Sequence, residues 1–153
     1  STLFNRILRK ERAIVTAEAG TTRDVISEKT LVDGLVLEIS DTAGLAETTQ
    51  LIEAMGMEKT RQKLLDADLI IHVIDLSDRY MGDKISEVED ILRQLGVDQT
   101  PKIYAFNKCD RVKRPALARL TEKYASMTPA FVSALKGEGI KELKRLIAKR
   151  LQG

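Results

Sequence analysis

Leu69-Ile70-Ile71-His72-Val73-Ile74 is a short, nearly continuous apolar run, the mark of a strand buried on both faces. Such strands belong to sheets covered by helices on both sides, so the flanking sequence is read for that alternation. Downstream, Ile85, Val88, Ile91, Leu92 and Leu95 keep helical spacing, with Asp83 placed to cap the start and Gly96 just past the end. Ile103–Phe106 reads as a second buried strand. Pro115 suits the first turn of a helix carrying Leu117, Leu120 and Tyr124. Ala130–Ser133 then reads as a short strand, and Ile140–Leu151 as a helix.

Upstream, Leu3, Phe4, Ile7 and Leu8 follow helical spacing, and Ala17–Asp24 is a polar, glycine-containing loop. Ile26–Val32 and Leu35–Ser40 flank Asp33-Gly34, a strong hairpin cue because both central residues must take positive φ. A further helix is expected from about Ile52 to Leu65. The predicted fold class is α/β: a doubly wound, mostly parallel sheet with one antiparallel hairpin. Ligands of such sheets bind beyond the carboxyl ends of the strands.

Composition sets the bounds. The chain has 153 residues, 43% hydrophobic and 31% charged, which is one ordinary globular domain. The longest apolar runs fall far short of the ~20 residues that span a bilayer. A single cysteine excludes a disulfide framework and fits a reducing, cytoplasmic setting. A net charge of +2 gives no case for nucleic acid or anionic membrane. His72, the only histidine, is expected in the core or at a strand edge rather than in catalysis, and Cys109 shows no sign of a nucleophile or metal ligand. Lys141, Lys144, Arg145, Lys149 and Arg150 are expected to form a solvated basic helix face.

The chemistry-bearing motifs fall in loops or at carboxyl strand ends. Thr21-Thr22-Arg23-Asp24 offers a hydroxyl to a metal. In Asp41-Thr42-Ala43-Gly44 the carboxylate can reach magnesium, and Gly44 lets a backbone N–H approach a phosphate. In Asn107-Lys108-Cys109-Asp110, Asp110 can accept the two adjacent N–H donors on the edge of guanine, where adenine presents a mismatch. Lys108 can lay its aliphatic stem along the base, and Asn107 can tie the loop to its neighbours. The small residues of Ser133-Ala134-Leu135-Lys136 let backbone amides approach a purine carbonyl. Each tetrapeptide alone is weak, but the ordered set is specific.

The chain resembles the translation-factor-related GTPases, and more closely the G domain of the tRNA-modification (TrmE/MnmE) GTPase family. The likeness rests on Ala13-Ile14-Val15-Thr16, Ala19-Gly20-Thr21-Thr22-Arg23-Asp24-Val25, Asp41-Thr42-Ala43-Gly44-Leu45 and Ile52-Glu53-Ala54-Met55-Gly56-Met57-Glu58. The second half is equally similar to HflX- and Der-type GTPases, and Glu58–Asp75 to HydF. The resemblance implies a three-layer sandwich like that of the P-loop NTPases, magnesium-dependent hydrolysis of GTP to GDP, potassium activation, and pairing of two G domains. An RNA-linked partner is implied only through the parent protein.

Residue by residue, the resemblance puts Ser1 on the magnesium, with Thr2 beside it at the nucleotide, and closes Thr22, next to Thr21, over the ion. Asp41 would hold the ion through water, Gly44 would sense the γ-phosphate, and Glu53 would position the attacking water, since Leu45 stands where Ras-like enzymes have glutamine. Asn107, Lys108 and Asp110 would read guanine, helped by Ser133, Ala134 and Leu135. Residues 1–153 are expected to form one G domain that begins at the last serine of the phosphate loop. The preceding strand would lie between the strand ending at Ser40 and the one starting at Leu69. Without that strand and the glycines and lysine of the phosphate loop, residues 1–153 are expected to bind GTP poorly or not at all, and the alternative is a nucleotide-free interaction module.

Overall fold

The computed structural model describes residues 2–8, 26–41 and 58–152. Helix α1 (Thr2–Leu8) buries Leu3, Phe4, Ile7 and Leu8, the apolar positions of its sequence spacing. Strands β1 (Ile26–Val32) and β2 (Leu35–Asp41) pair antiparallel in one register from Ile26↔Asp41 to Val32↔Leu35. Their turn places Asp33 at φ +46° and Gly34 at φ +84°, the two positive values that a tight hairpin loop requires. Helix α2 (Glu58–Asp66) follows; the earlier part of the helix expected from about Ile52 lies outside the described residues.

The second sheet is parallel, in the order β3 (Ile70–Asp75), β4 (Lys102–Asn107), β5 (Pro129–Phe131). Helix α3 (Met81–Gln94) connects β3 to β4, and α4 (Arg114–Lys123) connects β4 to β5. Side chains of β4 alternate between two cores. Ile103 and Ala105 face a cluster with Leu3 and Ile7 of α1 and with Leu143 and Ile147 of α5 (Ile140–Gln152), against which Leu37 and Ile39 of β2 also pack. Tyr104 and Phe106 face the opposite side, with Ile74, Ile85 and Tyr124. Phe106 stacks on Phe131 at 5.2 Å between ring centroids. Helices therefore cover both faces of the parallel sheet, the three-layer α/β arrangement. Among the described residues the hairpin forms a sheet of its own and does not pair with β3.

Four local expectations are corrected. Burial on both faces holds for β4, but β3 is an outer strand of the described sheet and leaves Val73 49% exposed near its carboxyl end. Asp83 does not cap α3: the helix starts at Met81, so Asp83 sits inside the first turn, where its charge complements the helix dipole. The last strand ends at Phe131, because the Ser133 N–H turns away to the Glu138 carbonyl at 2.9 Å. Lys144 is buried at 6% exposure rather than lying on a solvated face. It falls on the buried stripe of α5 formed by Ile140, Leu143, Ile147 and Ala148, spaced for one helix face.

Candidate functional site

The carboxyl ends of the parallel strands meet at one rim. In register, Asp75 at the end of β3 stands beside Asn107 at the end of β4, and the Leu76 N–H donates to the Asn107 carbonyl at 3.1 Å. Beyond β5 the chain stays close, with the Val132 N–H on the Phe106 carbonyl at 2.9 Å and the Cys109 N–H on the Val132 carbonyl at 3.0 Å. The loops after β4 and β5 are thus joined by backbone before any side chain acts.

Asn107 completes the joint. Its Oδ1 accepts the Lys108 N–H at 2.8 Å and the Ala134 N–H at 3.0 Å, one acceptor serving two loops. Lys108 takes a left-handed conformation, φ +68°, and turns the chain into the short 3₁₀ segment Cys109–Arg111 that carries Asp110. Its Nζ reaches back 2.8 Å to Oδ2 of Asp75. The other oxygen of Asp75 accepts the Ser77 N–H at 2.8 Å and the Ser77 hydroxyl at 2.6 Å. Burial pushes the Asp75 carboxyl upward, yet the hydrogen bonds from Lys108 and Ser77, with the Lys108 charge, hold its pKa at about 2.

The loop after β5 is tightly folded. Ser133 is fully buried; its Oγ accepts the Lys136 N–H at 3.1 Å, and its carbonyl accepts the Gly137 N–H at 2.7 Å. Gly139, at φ +75°, passes so close to β5 that a Cβ would sit 2.1 Å from the Phe131 carbonyl oxygen. Ala134 is buried and Leu135 exposed, and their carbonyls accept hydrogen bonds from Arg6 of α1. Cys109 stays a thiol: burial raises its pKa, and the neighbouring Glu138 and Asp110 charges raise it further. His72 is away from this chemistry, its ring 5.4 Å from that of Tyr104, with burial lowering its pKa to about 4.

Of the residues singled out in the sequence, Asn107, Lys108, Asp110, Ser133, Ala134 and Leu135 come together here. Thr2 is exposed in the first turn of α1. Asp41 is the last residue of β2, and its side chain lies outside the described residues, as do Ser1, Thr21, Thr22, Gly44 and Glu53. Among the described residues no group of three or more His, Cys, Asp or Glu side chains gathers as a metal site. Two contributors escaped the sequence reading. Asp75 had a usable signal, since it closes an apolar run as Asn107 does. Arg6 had none, its partners lying 128 and 129 residues away.

A parallel sheet covered on both faces, with polar loops gathered at its carboxyl rim, defines an α/β nucleotide-binding domain. A family model described as 50S ribosome-binding GTPase matches residues 1–108. The tRNA modification GTPase MnmE of Aquifex aeolicus (strain VF5) is 40% identical over 151 residues, which cover 99% of this chain and 32% of that protein. The MnmE of Heliobacterium modesticaldum (strain ATCC 51547 / Ice1) is 40% identical over 154 residues, covering 100% and 32%. The crystal structure of Era in complex with MgGDPNP and nucleotides 1506–1542 of 16S ribosomal RNA matches with a TM-score of 0.73 and 26% identity, over 98% of this chain and 52% of that one. The chain belongs to the 50S ribosome-binding GTPase family, as a G domain of the TrmE/MnmE type. It spans about a third of the length of these curated relatives. Among the described residues no helix is long and apolar enough to cross a membrane.

Proposed function

We propose that the rim formed by Asn107–Asp110 and Ser133–Leu135 reads the guanine of GTP and GDP, and that residues 1–153 act as the GTP-hydrolysing switch domain of a cytoplasmic tRNA-modification GTPase. The observation that carries this reading is the pair of hydrogen bonds at Asn107 Oδ1, which draws two loops far apart in sequence into one recognition surface. Asp110 accepts the two N–H groups on the guanine edge, Lys108 lies along the base, and the Leu135 N–H is offered to the purine carbonyl, the Ala134 N–H being held by Asn107 Oδ1.

Magnesium fits the remaining donor set, since the hydroxyls of Ser1 and Thr22 and the carboxylate of Asp41 are the hard oxygen ligands that ion prefers. When bound, it neutralises charge on the β- and γ-phosphates. Thr2 and Thr21 adjoin these ligands in the sequence and complete the proposed nucleotide contacts, Gly44 would sense the γ-phosphate through its backbone N–H, and Glu53 would position the attacking water through a second water. Potassium dependence and pairing of two G domains are part of the same proposal, resting on the family resemblance of the sequence motifs alone; the tRNA modification named for its MnmE relatives supports an RNA-linked role of the whole protein.

The test is Asp110→Asn in the intact protein, with GDP and xanthosine diphosphate titrated in parallel. Xanthine carries an oxygen where guanine has its amino group, so the amide matches what the carboxylate repels. GDP affinity should fall at least ~100-fold while the xanthine nucleotide gains. An unchanged purine preference overturns the reading.

A further inference from the structure

We infer that Arg6 is a positioning residue of the guanine-reading rim, which fixes the Ala134 and Leu135 peptides so that an N–H is presented to the purine carbonyl; this rests on the nucleotide reading above. Arg6 Nε donates to the Ala134 carbonyl and Nη2 to the Leu135 carbonyl, each at 2.6 Å. These are consecutive acceptors, and a planar guanidinium meets two acceptors in a fixed fork as no other side chain does.

The direction of the amides follows from the peptide group itself. In a trans peptide the C=O and the next residue's N–H point in opposite directions, and no cis peptide occurs among the described residues. Seating the Ala134 carbonyl on Arg6 therefore turns the Leu135 N–H away from α1. Seating the Leu135 carbonyl there turns the Lys136 N–H likewise, and that donor is taken by Ser133 Oγ. From the other side, the Ala134 N–H is held by Asn107 Oδ1 at 3.0 Å. The segment is clamped by α1 through its carbonyls and by β4 through an amide, leaving the Leu135 N–H as the donor whose direction Arg6 sets. The same short helix carries Thr2, expected at the phosphate end, so one element serves both ends of the nucleotide.

The test compares wild type, Arg6→Ala and Arg6→Lys in the intact protein, titrating GDP and 6-thio-GDP. The thio analogue replaces the carbonyl oxygen by sulfur, a weaker acceptor, and keeps the edge that Asp110 reads. Wild type should prefer GDP. Arg6→Ala should lose about 10-fold in GDP affinity and much less for the thio analogue, so that the preference collapses. Arg6→Lys, with one point charge in place of the fork, should fall between. An equal loss on both ligands, no loss on either, or a wild type indifferent to the sulfur overturns the assignment of Arg6. If circular dichroism shows Arg6→Ala unfolded, the ratio in Arg6→Lys decides by the same criterion. Failure of wild type to bind GDP overturns the nucleotide reading and this inference with it, whereas GDP binding with an unchanged ratio in the variants overturns this inference alone.

Discussion

Lys108 and Asp75 close an ion pair at 2.8 Å between the ends of neighbouring strands, and it points the lysine back across the rim rather than out into water. Both side chains are about two-fifths exposed, so the pair contributes on the order of 1 kcal/mol or less to stability. Its value lies in placing Lys108. Asp75→Asn should leave the melting temperature within a few degrees of wild type while weakening guanine nucleotide several-fold, read by titration calorimetry. The pH sign follows from the carboxyl being held at about 2 against an ordinary 3.8. The stabilisation is complete above pH ~4 and disappears as pH falls toward 2. Wild type and variant should therefore converge in stability across that acid window.

Gly139→Ala is expected to be costly. The substitution puts a methyl where the Phe131 carbonyl oxygen stands 2.1 Å away, at a φ of +75° that L side chains rarely adopt. Steric shift and backbone strain together should cost about 2–4 kcal/mol, seen as a lower midpoint in urea. Because Glu138, next to Gly139, holds the Ser133 N–H, nucleotide affinity should fall as well.

His72 should make stability depend on pH above the carboxylate range. Burial lowers its pKa from 6.5 to about 4, so between those values the unfolded chain binds the proton more readily than the folded one. Stability then falls as the solution is acidified from pH 7 to 5, by about 2 kcal/mol, and this contribution levels off below pH ~4. Denaturant midpoints at pH 7 and pH 5 read the loss directly. His72→Leu should flatten the slope, and an unaltered slope in that variant would reassign the effect to other groups.

How much of this was legible beforehand depended on how local the cause was. Asp33-Gly34 announced its hairpin because the backbone demand resides in those two residues. The end of β4 was legible because Asn107–Asp110 follows a run that could only be a buried strand. Lys144 was misplaced because a charged residue within a basic stretch looks solvated, although its position on the α5 stripe buries it. Asp83 lost the cap because the turn before α3 satisfies itself, with Asp78 Oδ1 accepting the Tyr80 N–H at 2.8 Å. Arg6 and Asp75 act through residues brought near by topology, a relation that spacing along one chain does not encode.

The setting of Asn107 has one more consequence. Ile103, Ala105 and Phe106 directly beneath it are fully shielded from water, and β4 is hydrogen-bonded to a neighbour along each edge. The rim proposed to read guanine is thus anchored on a buried strand paired along both edges, so that little ordering entropy should be spent when a base arrives. On that proposal selectivity precedes the encounter, and among the described residues the slowest amide exchange should lie in β4, immediately below the rim.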